Sequence, residues 1–245
     1  MNPLEKQLQR EAKSLAKKTP FLKEIYKELI GGRDFSSLTQ AAAVFMAGSP
    51  GAGKTEVAKN LSASFSPEPV RIDADDFRAR FYGYDGTNSH IFQEAATMVV
   101  QKMLDRVLRA AKDGPAIPFI LDGTLAYARV ESNLKRAIDR GYAVEIYYVY
   151  QKPSLAWRFT QARAAEDGRI VPLDAFIKTF RLARENVIRM KKQFGNDVKI
   201  TVIIKNTDAT DSKVYAYVEL EHLEKLLGTV YTDSDLRKEL ELDES

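Results

Sequence analysis

The sequence of 245 residues contains no cysteine, which excludes disulfide bonds, thiolate zinc sites and a thiol nucleophile. Its two histidines, His90 and His222, are too few for a histidine metal cluster and disfavour a Ser-His-Asp triad. No stretch approaches the roughly 18 consecutive apolar residues of a membrane-spanning helix, and the charged N-terminus is unlike a signal peptide. These absences predict a cytoplasmic protein that has no membrane partner.

Neither sign of charge dominates, because 37 basic and 34 acidic residues give a net charge of +3. This balance is too even to predict a nucleic-acid partner. The hydrophobic content of 44% and the length fit one α/β domain with an added element. Residues 1–33 carry eight Lys or Arg and four Glu, and residues 219–245 carry nine acids and three bases. We interpret both ends as solvated helix faces.

Apolar spacing predicts an alternation of strands and helices after two short helices in residues 3–31. Thr19 is predicted to cap the second of these, with Pro20 in its first turn. Strands are predicted at 41–47, 69–73, 117–121, 141–149 and 199–204 with an edge at 214–217, and helices at 56–62, 88–111, 130–140, 153–165 and 172–192, before an acidic helical tail. Strands separated by helices indicate βαβ units and a mostly parallel sheet.

A glycine-rich phosphate loop lies between the first predicted strand and a helix. The pattern G-x-x-x-x-G-K-[ST] is met by Gly48, Ser49, Pro50, Gly51, Ala52, Gly53, Lys54 and Thr55. The glycines let backbone N–H groups point at phosphate oxygens, and the following helix adds its positive N-terminus. Lys54 is predicted to bind the β- and γ-phosphates, and Thr55 to bind Mg²⁺. The cofactors are therefore ATP, with GTP as an alternative, and Mg²⁺.

Other motifs separate a kinase from the remaining nucleotide-binding classes. GTPases need N-K-x-D, and the nearest segment, Lys205-Asn206-Thr207-Asp208, reverses the first two residues; we interpret it as a turn after a strand. A motor ATPase would need an apolar strand that ends in Asp-Glu, and the sequence has none. The sequence instead predicts a kinase that transfers a phosphoryl group to a hydroxyl.

An acidic turn follows the second predicted strand. Ligands of parallel sheets bind at the carboxyl ends of the strands, so we expect this turn to lie next to the phosphate loop. Asp75 is the candidate catalytic base and a candidate Mg²⁺ ligand; Asp73 and Asp76 are its alternatives. Any of the three could instead cap the helix that opens near Phe77. Asp122, at the end of the third predicted strand, is a candidate to bind Mg²⁺ through water or to bind the substrate. Alternatively, Asp122 and Gly123 only form a turn at the end of the strand.

Arginines follow in the next two helices, at Arg158, Arg163, Arg169, Arg181 and Arg184. Arg163 and Arg169 flank the short link at Gly168. Guanidinium groups placed there could stabilise the charge that spreads over the γ-phosphate during transfer. Solvated positions on helix surfaces are the alternative.

These motifs, in this order, resemble the zeta-toxin kinases from about Ala42 to Val198. The matching segments are Gly48–Thr55, Ile72-Asp73-Ala74-Asp75-Asp76-Phe77-Arg78, Asp122-Gly123-Thr124, and Arg163 with Arg169-Ile170-Val171-Pro172. The resemblance implies phosphorylation of the amino-sugar 3′-hydroxyl of UDP-N-acetylglucosamine. It further implies that Asp75 is the base, that Arg163 and Arg169 hold phosphates, and that Asp122 and Thr124 face the substrate. It also implies a small helical antitoxin as partner.

Three departures leave the acceptor open. The acid at the strand end is Asp122 where the family's best-known members have glutamate, and Ala126 stands where they often have arginine. The segment 84–90 does not match theirs; within it Asn88 and His90 are candidate acceptor contacts, and Asn88 or Ser89 is alternatively a helix cap.

A second resemblance concerns Asp75-Asp76-Phe77-Arg78, which is similar to the D-D-[YF]-R turn of 5′-polynucleotide kinases. In that family the arginine would bind the phosphodiester of the acceptor, and Arg78 would take this role here. The even charge of the chain argues against a nucleic-acid acceptor.

Together these observations predict a Rossmann-like P-loop kinase domain at 41–245 and a helical N-terminal extension at 1–40. The leading function is a zeta-toxin-like kinase that acts on UDP-N-acetylglucosamine or a similar nucleotide-linked acceptor. The alternatives are a 5′-hydroxyl polynucleotide kinase, a small-metabolite kinase, or a regulatory protein that binds nucleotide without turnover. The acids and arginines at the strand ends argue against the last, because binding alone does not need them.

Overall fold

The computed structural model describes residues 1–205 and 212–242, and it confirms the mostly parallel α/β architecture. Its strands are β1 (Ala42–Ala47), β2 (Val70–Asp73), β3 (Phe119–Asp122), β4 (Ala143–Tyr150), β5 (Val198–Lys205) and β6 (Ser212–Tyr215). They form one sheet in the order β2-β3-β1-β4-β5-β6, in which all pairs are parallel except β5 with β6.

Helices cover both faces of the sheet. They are α1 (Pro3–Leu15), α2 (Thr19–Ile30), α3 (Lys54–Ala63), α4 (Ala74–Arg78), α5 (Ser89–Asp113), α6 (Val130–Ile138), α7 (Pro153–Asp167), α8 (Leu173–Phe194), α9 (Leu220–Leu226) and α10 (Asp233–Leu242). None of the helices in the described part of the chain is long and apolar enough to cross a membrane.

The central strand β1 is buried on both faces, as is usual in parallel sheets. Ala43 and Phe45 belong to the large core, whereas Val44 and Met46 belong to a smaller one under α3. The chain leaves β1 toward β2 and β3 on one side and later adds β4 and β5 on the other. The loop after β1 therefore sits where the strand order reverses, which is the usual ligand position in such sheets.

Two local predictions were wrong. Lys18, not Thr19, is the N-cap of α2, and no side-chain hydrogen bond caps this helix. Pro20 is then the second helical residue, a position that lacks an intrahelical N–H partner just as the first does, so proline fixes the helix start only to within one residue. The edge strand is β6, which begins two residues before the predicted segment 214–217. The predicted turn at 205–208 lies outside the described residues beyond Lys205.

The two N-terminal helices pack on α5, on β2 and on the segment after α4. Leu22 and Ile25 of α2 are buried in the same core as the sheet. Ion pairs add to the contact: Lys13 Nζ lies 2.7 Å from Glu94 Oε1, and Arg80 binds Glu24 and Glu28 at 2.8 and 2.7 Å. A boundary at residue 40 stays a prediction.

We expect deletion of residues 2–34 to destabilise the fold rather than to activate it. Burying a Leu or Ile side chain is worth about 1.5–3 kcal/mol, so Leu22 and Ile25 together contribute about 3–6 kcal/mol, comparable to the lower end of the roughly 5–15 kcal/mol that stabilises a domain. The measurement is the soluble yield and thermal melting of the truncated chain. A folded truncation that is more active than the full chain would instead show that these helices inhibit the site.

Candidate active site

The phosphate loop is shaped by glycines that no other residue could replace without displacing neighbours. Gly48 has φ +136° and Gly51 has φ +72°. A Cβ on Gly48 would lie 2.3 Å from the Val149 carbonyl oxygen, and one on Gly51 would lie 2.0 Å from the Ala156 carbonyl oxygen. The loop thus curls tightly against β4 and α7. Gly53 is the N-cap of α3 and has no side chain that could cap the helix. The first N–H groups of α3 are therefore not bound by a capping side chain and can bind a phosphate.

Lys54 stands at the first position of α3, with its ammonium between the loop and the strand ends. Its Nζ donates to the Ser49 carbonyl oxygen at 2.6 Å. Burial lowers the pKa of Lys54 to about 8, although the nearby carboxylates of Asp122, Asp75 and Asp73 raise it. The glycine cradle, this ammonium and the exposed hydroxyl-bearing Thr55 fit a magnesium-bound triphosphate.

This pKa predicts that triphosphate binding weakens above pH 8. Bound phosphates favour the ammonium form of Lys54, so above pH 8 binding must take up a proton, and affinity falls by up to about tenfold per pH unit. The measurement is the dissociation constant of Mg²⁺–ATP between pH 7 and 9.5. In Lys54→Arg the guanidinium stays charged, so its affinity should change less with pH. Equal profiles for the two proteins would contradict the assignment.

Asp73 and Asp122 meet at neighbouring strand ends, where the register pairs them directly. Asp73 ends β2 and is the N-cap of α4, since its Oδ1 accepts from the Asp75 backbone N–H at 2.9 Å. Burial, and then the charge of Asp122, raise the pKa of Asp73 to about 7. Burial also raises the pKa of Asp122, whereas Arg71 and Lys54 lower it. The capping alternative is thereby confirmed for Asp73.

Asp75 is surrounded by three guanidinium groups. Arg78 binds its Oδ1, and Arg163 and Arg169 bind its Oδ2, the former at 3.3 Å. Arg78 is buried and also donates to Gln93 of α5, while its Nε is buried without a hydrogen-bond partner. Four residues proposed separately from the sequence are thus brought together beside the phosphate loop.

Arg71 is a part of the site that sequence reasoning missed. Its Nη1 lies 2.7 Å from Asp73 Oδ2 and 3.2 Å from Asp122 Oδ2, and its Nη2 lies 2.6 Å from Asp76 Oδ2. Asp76 is therefore held away from the guanidinium cluster on Asp75. The alternation of a strand places Arg71 and Asp73 on one face, and this was the signal available in the sequence.

Lys205 is a second missed cation, and it ends β5 beside the phosphate loop. Its Nζ lies 3.1 Å from Glu56 Oε2, and its Cε lies 3.4 Å from where a Cβ on Gly53 would be. The last residue of a strand in a parallel sheet gives no motif, so proximity to the loop is visible only in three dimensions.

The link after α7 rests on the segment that precedes α5. Gly168 ends α7 in the left-handed region, and a Cβ there would lie 2.4 Å from Thr87 Cγ2. The end of the helix that carries Arg163 therefore lies against the candidate acceptor segment 84–90. The remaining arginines lie elsewhere: Arg158 is exposed, Arg181 binds Glu185 at 3.1 Å and also Asp233, and Arg184 lines a small cavity with Tyr231.

The other candidate substrate residues have mixed placements. Thr124 connects the segment after β3 to the phosphate loop, because its carbonyl accepts a hydrogen bond from the Gly48 N–H at 3.2 Å. Asn88 shapes its own loop: its Nδ2 donates to the Gly83 carbonyl at 2.7 Å, and its Oδ1 accepts from the Asp85 N–H at 3.2 Å. Asn88 is also the cap position of α5, but its side chain makes no capping bond. His90 is exposed on the first turn of α5.

Comparison with known proteins agrees with this geometry. A family model described as "Zeta toxin" matches residues 28–217, more than half of the chain. No curated protein sequence matches the chain.

Solved structures show the same fold at low identity. A chain from the PezAT chromosomal toxin-antitoxin system of Streptococcus pneumoniae is 18% identical with a TM-score of 0.60, over 94% of this chain and 96% of that one. A chain of the AvrRxo1-ORF1:ORF2 complex with ATP is 16% identical with a TM-score of 0.61, over 94% and 73%. Another from that complex with sulphate ions is 15% identical with a TM-score of 0.62, over 97% and 79%.

Proposed function

Because the chain belongs to the zeta-toxin family, we propose that it is a kinase-type toxin that phosphorylates a hydroxyl of a nucleotide-linked sugar. The acceptor that the family resemblance favours is UDP-N-acetylglucosamine. The observation that carries the proposal is the meeting of Asp75, Arg163 and Arg169 beside the phosphate loop. A base, a set of γ-phosphate ligands and a triphosphate cradle are what phosphoryl transfer requires.

The phosphate loop would hold the nucleotide. Backbone N–H groups of the loop and of the first turn of α3 bind the phosphates, and Lys54 adds a point charge to the β- and γ-phosphates. Thr55 would bind Mg²⁺ directly, and Asp122 would bind it through a water molecule. When bound, the metal neutralises charge on the β- and γ-phosphate oxygens.

Asp75 would accept the proton of the acceptor hydroxyl. As that proton leaves, the acceptor oxygen forms a bond to the γ-phosphorus, and the bond from the γ-phosphorus to the β,γ-bridging oxygen breaks to release ADP. Asp75 contacts Arg163 and Arg169, which would bind the γ-phosphate, so its carboxylate would lie next to the transferred group.

Arg163 and Arg169 would transfer from Asp75 to the γ-phosphate when the triphosphate enters. Both are multidentate cations, and the γ-phosphate offers more acceptor oxygens and more charge than one carboxylate. The exchange at the same time uncovers Asp75 for the acceptor. Arg78 stays with Asp75, because its buried side chain is also bound to Gln93.

The acceptor would lie between Asp75, the Asp122-Gly123-Thr124 strand end and the segment 84–90. Asp122 and Thr124 are its proposed polar contacts, and His90 is a third because it is exposed at the start of α5. Asn88 contributes by shaping the loop, since both ends of its amide bind backbone groups there. An antitoxin partner is a further part of this proposal. One structure of similar fold comes from the PezAT toxin-antitoxin system, and another comes from a complex of AvrRxo1-ORF1 with ORF2.

The test is phosphoryl transfer from Mg²⁺–ATP to a panel of acceptors, followed by mass spectrometry. The panel holds UDP-N-acetylglucosamine, UDP-glucose, a small sugar alcohol and an oligonucleotide with a free 5′-hydroxyl. We expect one added phosphoryl group on the UDP-sugars, and none with Lys54→Ala. Transfer to the oligonucleotide alone would replace this proposal with the polynucleotide kinase. If ATP were not consumed with any acceptor or with a metabolite extract, the protein would instead be a regulatory protein that binds nucleotide without turnover.

We expect Arg163→Ala and Arg169→Ala each to lower kcat more than they weaken ATP binding. Charge builds on the γ-phosphate oxygens during transfer, so a cation there contributes more to the transition state than to the ground state. The measurements are kcat and the dissociation constant of Mg²⁺–ATP for each variant. Arg158→Ala, an exposed arginine of the same helix as Arg163, is the control and should behave as wild type. Equal kinetics in all three would assign the pair to a solvated surface.

A further inference from the structure

We propose that Arg71 is a positioning residue for the transfer step: it locks the helix that carries Asp75 to the strand end that carries Asp122. The proposal rests on the proposed kinase function. Arg71 lies in none of the motifs discussed above, and its role follows from three ion pairs made by one side chain.

The strand geometry puts Arg71 and two carboxylates on one face. Side chains two apart on a strand point the same way, so Arg71 and Asp73 share a face of β2. Asp122 is the register partner of Asp73 on β3 and therefore shares that face. Ile120 is the register partner of Arg71 and belongs to the core cluster under α3. Arg71, Asp73 and Asp122 therefore lie on the face of the sheet that α3 covers.

The guanidinium fork suits this arrangement. Its Nη1 bridges Asp73 at 2.7 Å and Asp122 at 3.2 Å, while its Nη2 binds Asp76 at 2.6 Å. The planar group presents these donors in fixed directions, whereas a lysine would present a single point charge. The side chain is 22% exposed, so these pairs are better shielded than those on an open surface.

Helix α4 depends on such anchors because it has only five residues, too few to be stable by itself. Its start is fixed by Asp73, which caps the Asp75 N–H at 2.9 Å. Its first turn is fixed again through Asp76. Arg71 holds both of these carboxylates, one on each side of Asp75 in the sequence. It also offsets the repulsion between Asp73 and Asp122, which would otherwise push the two strand ends apart.

The first part of the test separates positioning from nucleotide binding. In Arg71→Met we expect kcat to fall by about 10- to 100-fold, since a misplacement of about 1 Å can cost 10²-fold, while the KM for ATP stays within about twofold. Arg71→Lys keeps the charge and should recover part of kcat. Arg80→Met is the matched control: Arg80 also binds two carboxylates, Glu24 and Glu28, but on α2 and away from the site. It should keep the wild-type kcat.

The second part does not depend on turnover. Hydrogen exchange of the amides of residues 74–78 should be faster in Arg71→Met, and in Arg71→Lys to a lesser degree, but unchanged in Arg80→Met. Unchanged kcat with unchanged exchange would overturn the proposal, and so would an equal loss of kcat in Arg80→Met. If wild type transferred no phosphoryl group yet Arg71→Met still exposed the α4 amides, the proposed function would fail, and only the structural link between Arg71 and α4 would stand.

Discussion

Lys54→Ala should remove nearly all phosphoryl transfer, by about 10³-fold or more, and weaken Mg²⁺–ATP binding as well. The substitution deletes the cation proposed to bind the β- and γ-phosphates, in a partly desolvated site where a charge acts more strongly than in water. The measurements are kcat and KM with the preferred acceptor and the dissociation constant of Mg²⁺–ATP.

We expect Lys54→Ala to keep the fold, because burial lowers the pKa of Lys54 and so disfavours its ammonium. A melting curve close to wild type is the control for this. Lys54→Arg tests charge against shape, since it keeps a cation but replaces the compact ammonium that donates to the Ser49 carbonyl at 2.6 Å with a larger planar group. A Lys54→Ala variant with wild-type turnover would exclude the kinase.

Asp75→Asn should lower kcat by about 10²–10⁴-fold, the usual contribution of a positioned base. The amide keeps the shape of the carboxylate but cannot take the acceptor proton. ATP binding should stay as strong or become stronger, because Arg163 and Arg169 no longer have a carboxylate that competes with the γ-phosphate. The measurements are single-turnover transfer and Mg²⁺–ATP affinity.

Asp76→Asn is the matched control for Asp75→Asn. It removes the same charge from the same helix one residue further on, where the carboxylate binds Arg71 rather than Arg163 and Arg169. We expect a smaller loss of kcat and no gain in ATP affinity. If Asp76→Asn were inactive and Asp75→Asn active, the base would be Asp76.

Much of the site was predictable because its residues lie in local patterns at strand ends. The phosphate loop depends on glycine spacing, and Asp73 and Asp122 meet because the carboxyl ends of parallel strands meet at one edge. Arg71 was missed because its three partners come from β2, β3 and α4, and no linear motif records a side chain that bridges elements. Which of Asp75 and Asp76 contacts Arg163 and Arg169 likewise depended on the orientation of α4.

The packing that supports α7, the helix of Arg163, could not be predicted from the sequence either. The acidic tail was predicted as a helix, but charge and periodicity do not say what a helix packs on. In the structure Leu236 and Leu240 of α10 pack with Trp157 and Phe176, so the tail buries an apolar stripe against α7 and α8. An ion pair between Arg237 and Asp174 lies beside this contact.

This packing sets an order of events during translation. The phosphate loop and Asp75 leave the ribosome early, but α7, which bears Arg163, gains its partner α10 only after residue 240 has been made. At about 5–20 residues per second, the chain between α7 and α10 takes several seconds to synthesise. A nascent chain therefore carries the phosphate loop and Asp75 before α7 can pack on α10.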